Sequence, residues 1–118
     1  MLNAIHILGQ ILFGGYFVWS GVNHFLSHKD FTAYASMNKV PSPAFAVFMT
    51  GILLVLGGLG VLFQTYTTVA LIFLVIFIIP VTFTMHAFWK SENPGERSAQ
   101  KIAFLKNIAL LGAMLLMF

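Results

Sequence analysis

Residues 40–89 run for 50 positions without a Lys, Arg, Asp or Glu, and residues 1–28 contain none either. About 20 consecutive apolar residues cross the hydrocarbon core of a bilayer as a helix. The first block therefore holds one span and the second holds two. A fourth, weaker run from Ile102 to Phe118 carries one charge, Lys106. The chain is 59% hydrophobic and only 8% charged, whereas a water-soluble domain carries roughly a quarter charged residues. The expected fold is all-α: an integral membrane four-helix bundle, antiparallel and up-down. One domain spans residues 1–118, with helices at about 3–26, 43–63, 66–89 and 98–118.

The breaks between spans carry their own signals. Ser42-Pro43 reads as an N-cap followed by proline at the first helical position. The link Gln64–Thr68 is short and uncharged, which makes the spans on either side antiparallel neighbours. Pro94-Gly95 reads as a turn, and the last helix is expected from about Ser98. The segment between the first two spans is expected to be irregular or interfacial, with Phe31, Tyr34 and Met37 forming one apolar stripe. Pro80 interrupts the third span and frees the carbonyl of Ile76, with Thr82 and Thr84 on hand to re-satisfy freed groups.

Lys29, Lys39, Lys90, Arg97 and Lys101 all fall at the end that holds the two long loops. The positive-inside rule then places those loops in the cytoplasm and both termini outside. Tyr34, Tyr66 and Trp89 lie near the span boundaries, as interfacial aromatics do. A cleaved leader is not expected, because no basic segment precedes the first apolar run. The chain has no cysteine, which excludes disulfides and thiol redox steps on its own side chains. The net charge of +3 sits beside the bilayer, where anionic headgroups and not nucleic acids are the natural partner.

Lipid does not drive helices together by the hydrophobic effect, so small residues that allow close approach take that role. Gly14 and Gly21 are seven apart on the first span. Gly51 and Gly58 are seven apart on the second, with Gly57 alongside. Gly112 lies between Ala109 and Ala113 on the fourth. These glycines are the expected packing positions. Polar residues form a second pattern: Asn23 and His24 near the end of the first span, His86 near the end of the third, and Lys106 and Asn107 inside the fourth. A rise of about 1.5 Å per residue puts them within several Å of one depth. Intramembrane polar groups turn inward and find partners, so these five residues are the candidate ligand site. His28, Lys29 and Asp30 read as a solvated helix exit. His6 and Gln10, one turn apart at the other end, are expected to pair with Gln64 or a nearby Thr.

Other chemistries fit poorly. Bis-histidine haem ligation needs two facing histidines; His24 and His86 match in depth, but each has another role to fill. A closed zinc site needs four ligands, which His24, His28, His86 and Asp30 supply only if the loop folds back. No metal site is expected. A proton-coupled exporter needs an acidic residue within a span, and Asp30, Glu92 and Glu96 all lie in loops.

GYFVWSGVNHF (Gly15–Phe25), TGILLVLGGLGVLF (Thr50–Phe63), MHAFW (Met85–Trp89) and FLKNIALLGAMLL (Phe104–Leu116) resemble, in order and spacing, the four helices of DoxX-like membrane proteins. The resemblance implies a four-helix bundle of the bacterial cytoplasmic membrane. It also implies a link to quinone chemistry or redox-stress complexes for some members, and receptor or assembly roles for distant ones. Asn23, His24, Gly57, Gly58, His86, Lys106 and Asn107 match the family pattern. Many members carry Glu where this chain has Val55. Two function classes stay open. One is a redox-associated membrane subunit that binds a quinone-like ligand beside a redox partner protein. The other is a non-enzymatic scaffold, assembly factor or small-molecule carrier that pairs with another membrane protein or a second copy of itself.

Overall fold

A computed structural model describes residues 2–118. The described chain is mostly helical: α1 (Leu2–Leu26), α2 (His28–Met37), α3 (Pro43–Leu62), α4 (Thr67–Met85), a short 3-10 turn (Phe88–Lys90) and α5 (Pro94–Met117). Among the described residues, four segments are long and apolar enough to cross a membrane: Asn3–Leu26, Pro43–Leu62, Thr67–Lys90 and Pro94–Met117. The chain divides into two compact units, one up to Leu74 and the other Val75–Phe118.

In the first unit, α1 and α3 pack antiparallel along a glycine seam. A Cβ built on Gly14 would lie 2.8 Å from the carbonyl oxygen of Gly58 and 2.8 Å from the amide nitrogen of Leu62. One built on Gly58 would lie 2.8 Å from the oxygen of Gly14 and 2.7 Å from the nitrogen of Val18. Two turns along, a Cβ on Gly21 would meet the oxygen of Gly51 at 2.8 Å and a methyl of Val55 at 2.6 Å. Main chain thus rests on main chain, the approach that small residues permit in lipid. Gln10 extends the same register, donating from Nε2 to the carbonyl of Leu62 at 3.4 Å. Its partner is this carbonyl and not Gln64, whose own amide reaches the carbonyl of Val61.

The α3–α4 contact uses a second set of glycines. A Cβ on Gly57 would lie 2.7 Å from two side-chain carbons of Leu74, and one on Gly60 would collide with the Cβ of Ala70. The antiparallel neighbours expected from the short link are thus in place. Gln64 and Tyr66, inside that link, take the left-handed backbone region with φ of 51° and 50°. Such values are uncommon for side chains larger than Gly, Asn or Asp. Buried Leu54, Val61, Ala70, Leu71 and Leu74 fill the space around these contacts.

The segment after α1, expected to be irregular or interfacial, is a regular helix of 10 residues. It packs on α3 with Ala35 buried. The expected stripe is split: Phe31 lies against His24, while Met37 is 78% exposed. Ser42 stands at the N-cap position of α3, but in a left-handed conformation with no side-chain cap bond. Pro43 alone supplies the start signal there.

In the second unit, α4 runs unbroken through Pro80 and stops at Met85, four residues short of the expected end, before the 3-10 turn. Thr82 bonds back to the carbonyl of Ile78 and Thr84 to that of Pro80, each within its own turn and neither to Ile76. The last helix starts at Pro94 and not near Ser98. Asn93 Oδ1 accepts from the amides of Gly95 and Glu96 at 2.9 Å and 3.2 Å, so Asn-Pro-Gly-Glu is an N-cap with proline at the first position and not a free turn. Gly112 is exposed, and a Cβ there would meet nothing within 4 Å. It therefore does not act as a close-approach residue in the fold described here.

Candidate functional site

The five polar residues expected at one layer fall in both units. In the first, Asn23 Oδ1 accepts from the hydroxyl of Ser27 at 3.3 Å. His24 Nδ1 lies 2.8 Å from the carbonyl of Ser20. A carbonyl only accepts, so Nδ1 carries the hydrogen. The His24 ring also meets Phe31 of α2 edge-on, with centroids 4.7 Å apart. Gly51 makes room for this arrangement: a Cβ on it would lie 3.1 Å from His24 Cβ and 3.0 Å from the Phe25 ring.

His28, expected with Lys29 and Asp30 at a solvated helix exit, also forms a cross-link. Its Nε2 donates to the carbonyl of Ala44, 16 residues away, at 3.1 Å. Its Nδ1 is then left to accept from the hydroxyl of Thr32 at 3.4 Å. This imidazole ties the start of α2 to the first turn of α3. No local pattern announces such a bond, because the acceptor is a main-chain group far along the chain.

In the second unit, His86 follows the last residue of α4, and its Nδ1 lies 2.8 Å from Oε1 of Gln100 on α5. Phe83 and Phe104 meet edge-on at 5.5 Å. The two contacts place α4 and α5 antiparallel in one register. That register sets Lys106 and Asn107 level with Val81 and Pro80, about 9 to 10.5 Å along the axis from Gln100 at 1.5 Å per residue. Lys106 and Asn107 thus lie deeper along the axis than His86. The cause is the early start of α5, which carries Lys106 deeper than a start at Ser98 would. Asn107 is buried and Lys106 exposed, as suits consecutive residues pointing about 100° apart on a helix.

Aromatic residues flank His86 in the chain. Phe83, Phe88, Trp89 and Phe104 form one aromatic cluster. Phe88 lies 5.2 Å from Trp89 and 5.5 Å from Phe104, Trp89 lies 5.6 Å from Phe104, and Phe83 lies 6.4 Å from Trp89. Lys101 places its ammonium 5.9 Å from the centre of the Phe88 ring, within cation–π range. Trp89 and Phe83 keep 47% and 49% of their surface exposed. Gln100 and this cluster went unread in the sequence. The available signal was the one-turn spacing of Gln100 and Phe104, facing aromatics that flank a lone histidine.

The DoxX family profile matches residues 6–87, more than half of the chain. The chain belongs to the DoxX family. The match takes in α1 from His6 onward, α2 to α4 and His86, and stops short of the 3-10 turn and α5. Comparison with curated proteins and with solved structures gives no match. Membership in DoxX and four apolar spans together make the chain a multi-pass membrane protein in a lipid bilayer. Val55 packs its side chain toward Gly21 in the glycine seam.

Proposed function

We propose that this DoxX protein is a redox-associated membrane subunit that binds a quinone-like headgroup beside His86. The observation that carries the reading is the His86–Gln100 pair, 2.8 Å apart, with Phe83 and Phe88 three and two positions from His86 in the chain and Phe104 one turn from Gln100 on α5. A planar redox headgroup needs flat apolar surface and one or two polar contacts at its oxygens. Half-exposed rings supply the first, and His86 with Gln100 the second. An intramembrane ionisable group beside such a surface is a functional site by default. Electrons would come from or go to a partner subunit carrying flavin, haem or iron–sulfur chemistry. The basic residues at one end favour an orientation in a bacterial cytoplasmic membrane with the α1–α3 connection and the α4–α5 loop inside. The test is binding of a short-chain quinone analogue to purified protein in lipid nanodiscs. Saturable binding, weakened about tenfold or more in His86→Ala, is expected, the scale of one lost hydrogen bond with its packing. Absence of saturable binding to the wild type overturns the reading.

A second reading, a non-enzymatic scaffold or assembly factor, draws support from the first unit. There His24 and His28 are engaged with Ser20, Phe31, Ala44 and Thr32 of the same chain. On that reading, changes at any of the histidines lower stability or release a co-purifying membrane protein, and leave quinone binding unaffected.

A further inference from the structure

Building on the proposed quinone site, we infer that the His86–Gln100 pair selects the reduced, hydroxyl-bearing form of the ligand over its oxidised, carbonyl-bearing form. A neutral imidazole has one N–H and one lone pair, and the bond made by one nitrogen fixes the role of the other. Nδ1 of His86 faces Oε1 of Gln100 at 2.8 Å. An amide oxygen only accepts, so the hydrogen sits on Nδ1 and Nε2 presents a lone pair. His24 shows the same tautomer, with Nδ1 held by the Ser20 carbonyl.

The consequence follows from the chemistry of the two ligand forms. A quinone carries two carbonyl oxygens, both acceptors. Against Nε2 they set lone pair against lone pair. A quinol carries two hydroxyls, and either one donates to Nε2. Contact with the rings of Phe83, Phe88, Trp89 and Phe104 is open to both forms, so the difference rests on this one hydrogen bond. Gln100 is then a positioning residue: it acts on the ligand through the proton that it holds on His86.

Equilibrium dialysis of the full chain in nanodiscs, under anaerobic conditions, compares a short-chain benzoquinone with its own quinol. The quinol is expected to bind about tenfold or more tightly than the quinone, the scale of one hydrogen bond against an unmet acceptor. Gln100→Glu, whose carboxylate can only accept from Nδ1, is expected to keep the preference. Gln100→Leu frees the imidazole to exchange tautomers and is expected to shrink it to about threefold or less. Equal affinity for both forms, a preference for the quinone, or a preference reversed by Gln100→Glu overturns the inference and leaves the quinone site standing. Failure of both forms to bind the wild type overturns the site itself. Should Gln100→Leu not fold, the wild type and Gln100→Glu still decide.

Discussion

A glycine matters in this chain only where backbone stands opposite. Gly58→Ala would press its methyl group to 2.7 Å from Val18 N and 2.8 Å from Gly14 O. Neither atom can swing aside as a side chain would. Overpacking of this kind costs about 1–3 kcal/mol, read as a lower unfolding midpoint in detergent micelles. Gly15→Ala, where a Cβ meets nothing within 4 Å, is the matched control. It is expected to be neutral or to stabilise by up to about 1 kcal/mol through helix propensity. Equal losses from both would mean that the seam is not a close contact. His28 makes a similar point with a polar group. His28→Phe keeps a ring but removes the donor to the Ala44 carbonyl. A loss of about 0.5–1.5 kcal/mol is expected, with faster amide exchange over the first turns of α2 and α3. Unchanged exchange there would show that the cross-link carries no weight.

At the scale of elements, the start of α5 depends on one side chain. Asn93→Ala removes the acceptor shared by the Gly95 and Glu96 amides. It should cost about 1 kcal/mol, with fraying visible as faster exchange at those two amides; Asn93→Asp should restore protection. If Asn93→Ala leaves the exchange unchanged, Pro94 alone sets the start. The helices themselves were legible because charge is excluded from lipid, which makes an uncharged run of 50 residues hard to read any other way. The glycine pairs 14/21 and 51/58 were legible because heptad spacing keeps residues on one face. Gly112 had the same local look and lies open, since glycine is as free to face lipid as a neighbouring helix. The ends were harder. Asn93-Pro94-Gly95 satisfies the chemistry of a turn and of a cap alike, and only the bonds made by Oδ1 distinguish them. Of the candidate site, His86 was legible as an isolated titratable group in an apolar setting. Gln100 was not, because an uncharged residue between Arg97 and Lys101 looks like ordinary surface.

For the molecule as a whole, the proposed orientation can be tested cleanly because the chain has no cysteine of its own. Tyr66 is 82% exposed in the α3–α4 link, and Glu92 is exposed in the loop before α5. In intact cells, Tyr66→Cys should react with a membrane-impermeant maleimide and Glu92→Cys should react only after lysis; the opposite pattern would invert the topology. The glycine seam carries a wider consequence. Because bare main chain sets the distance between α1 and α3, that distance does not depend on the side chains facing the fatty-acid tails. Bulky groups on the outer surface can be exchanged to suit a thicker bilayer, or to carry a reporter dye, without respacing the pair beneath.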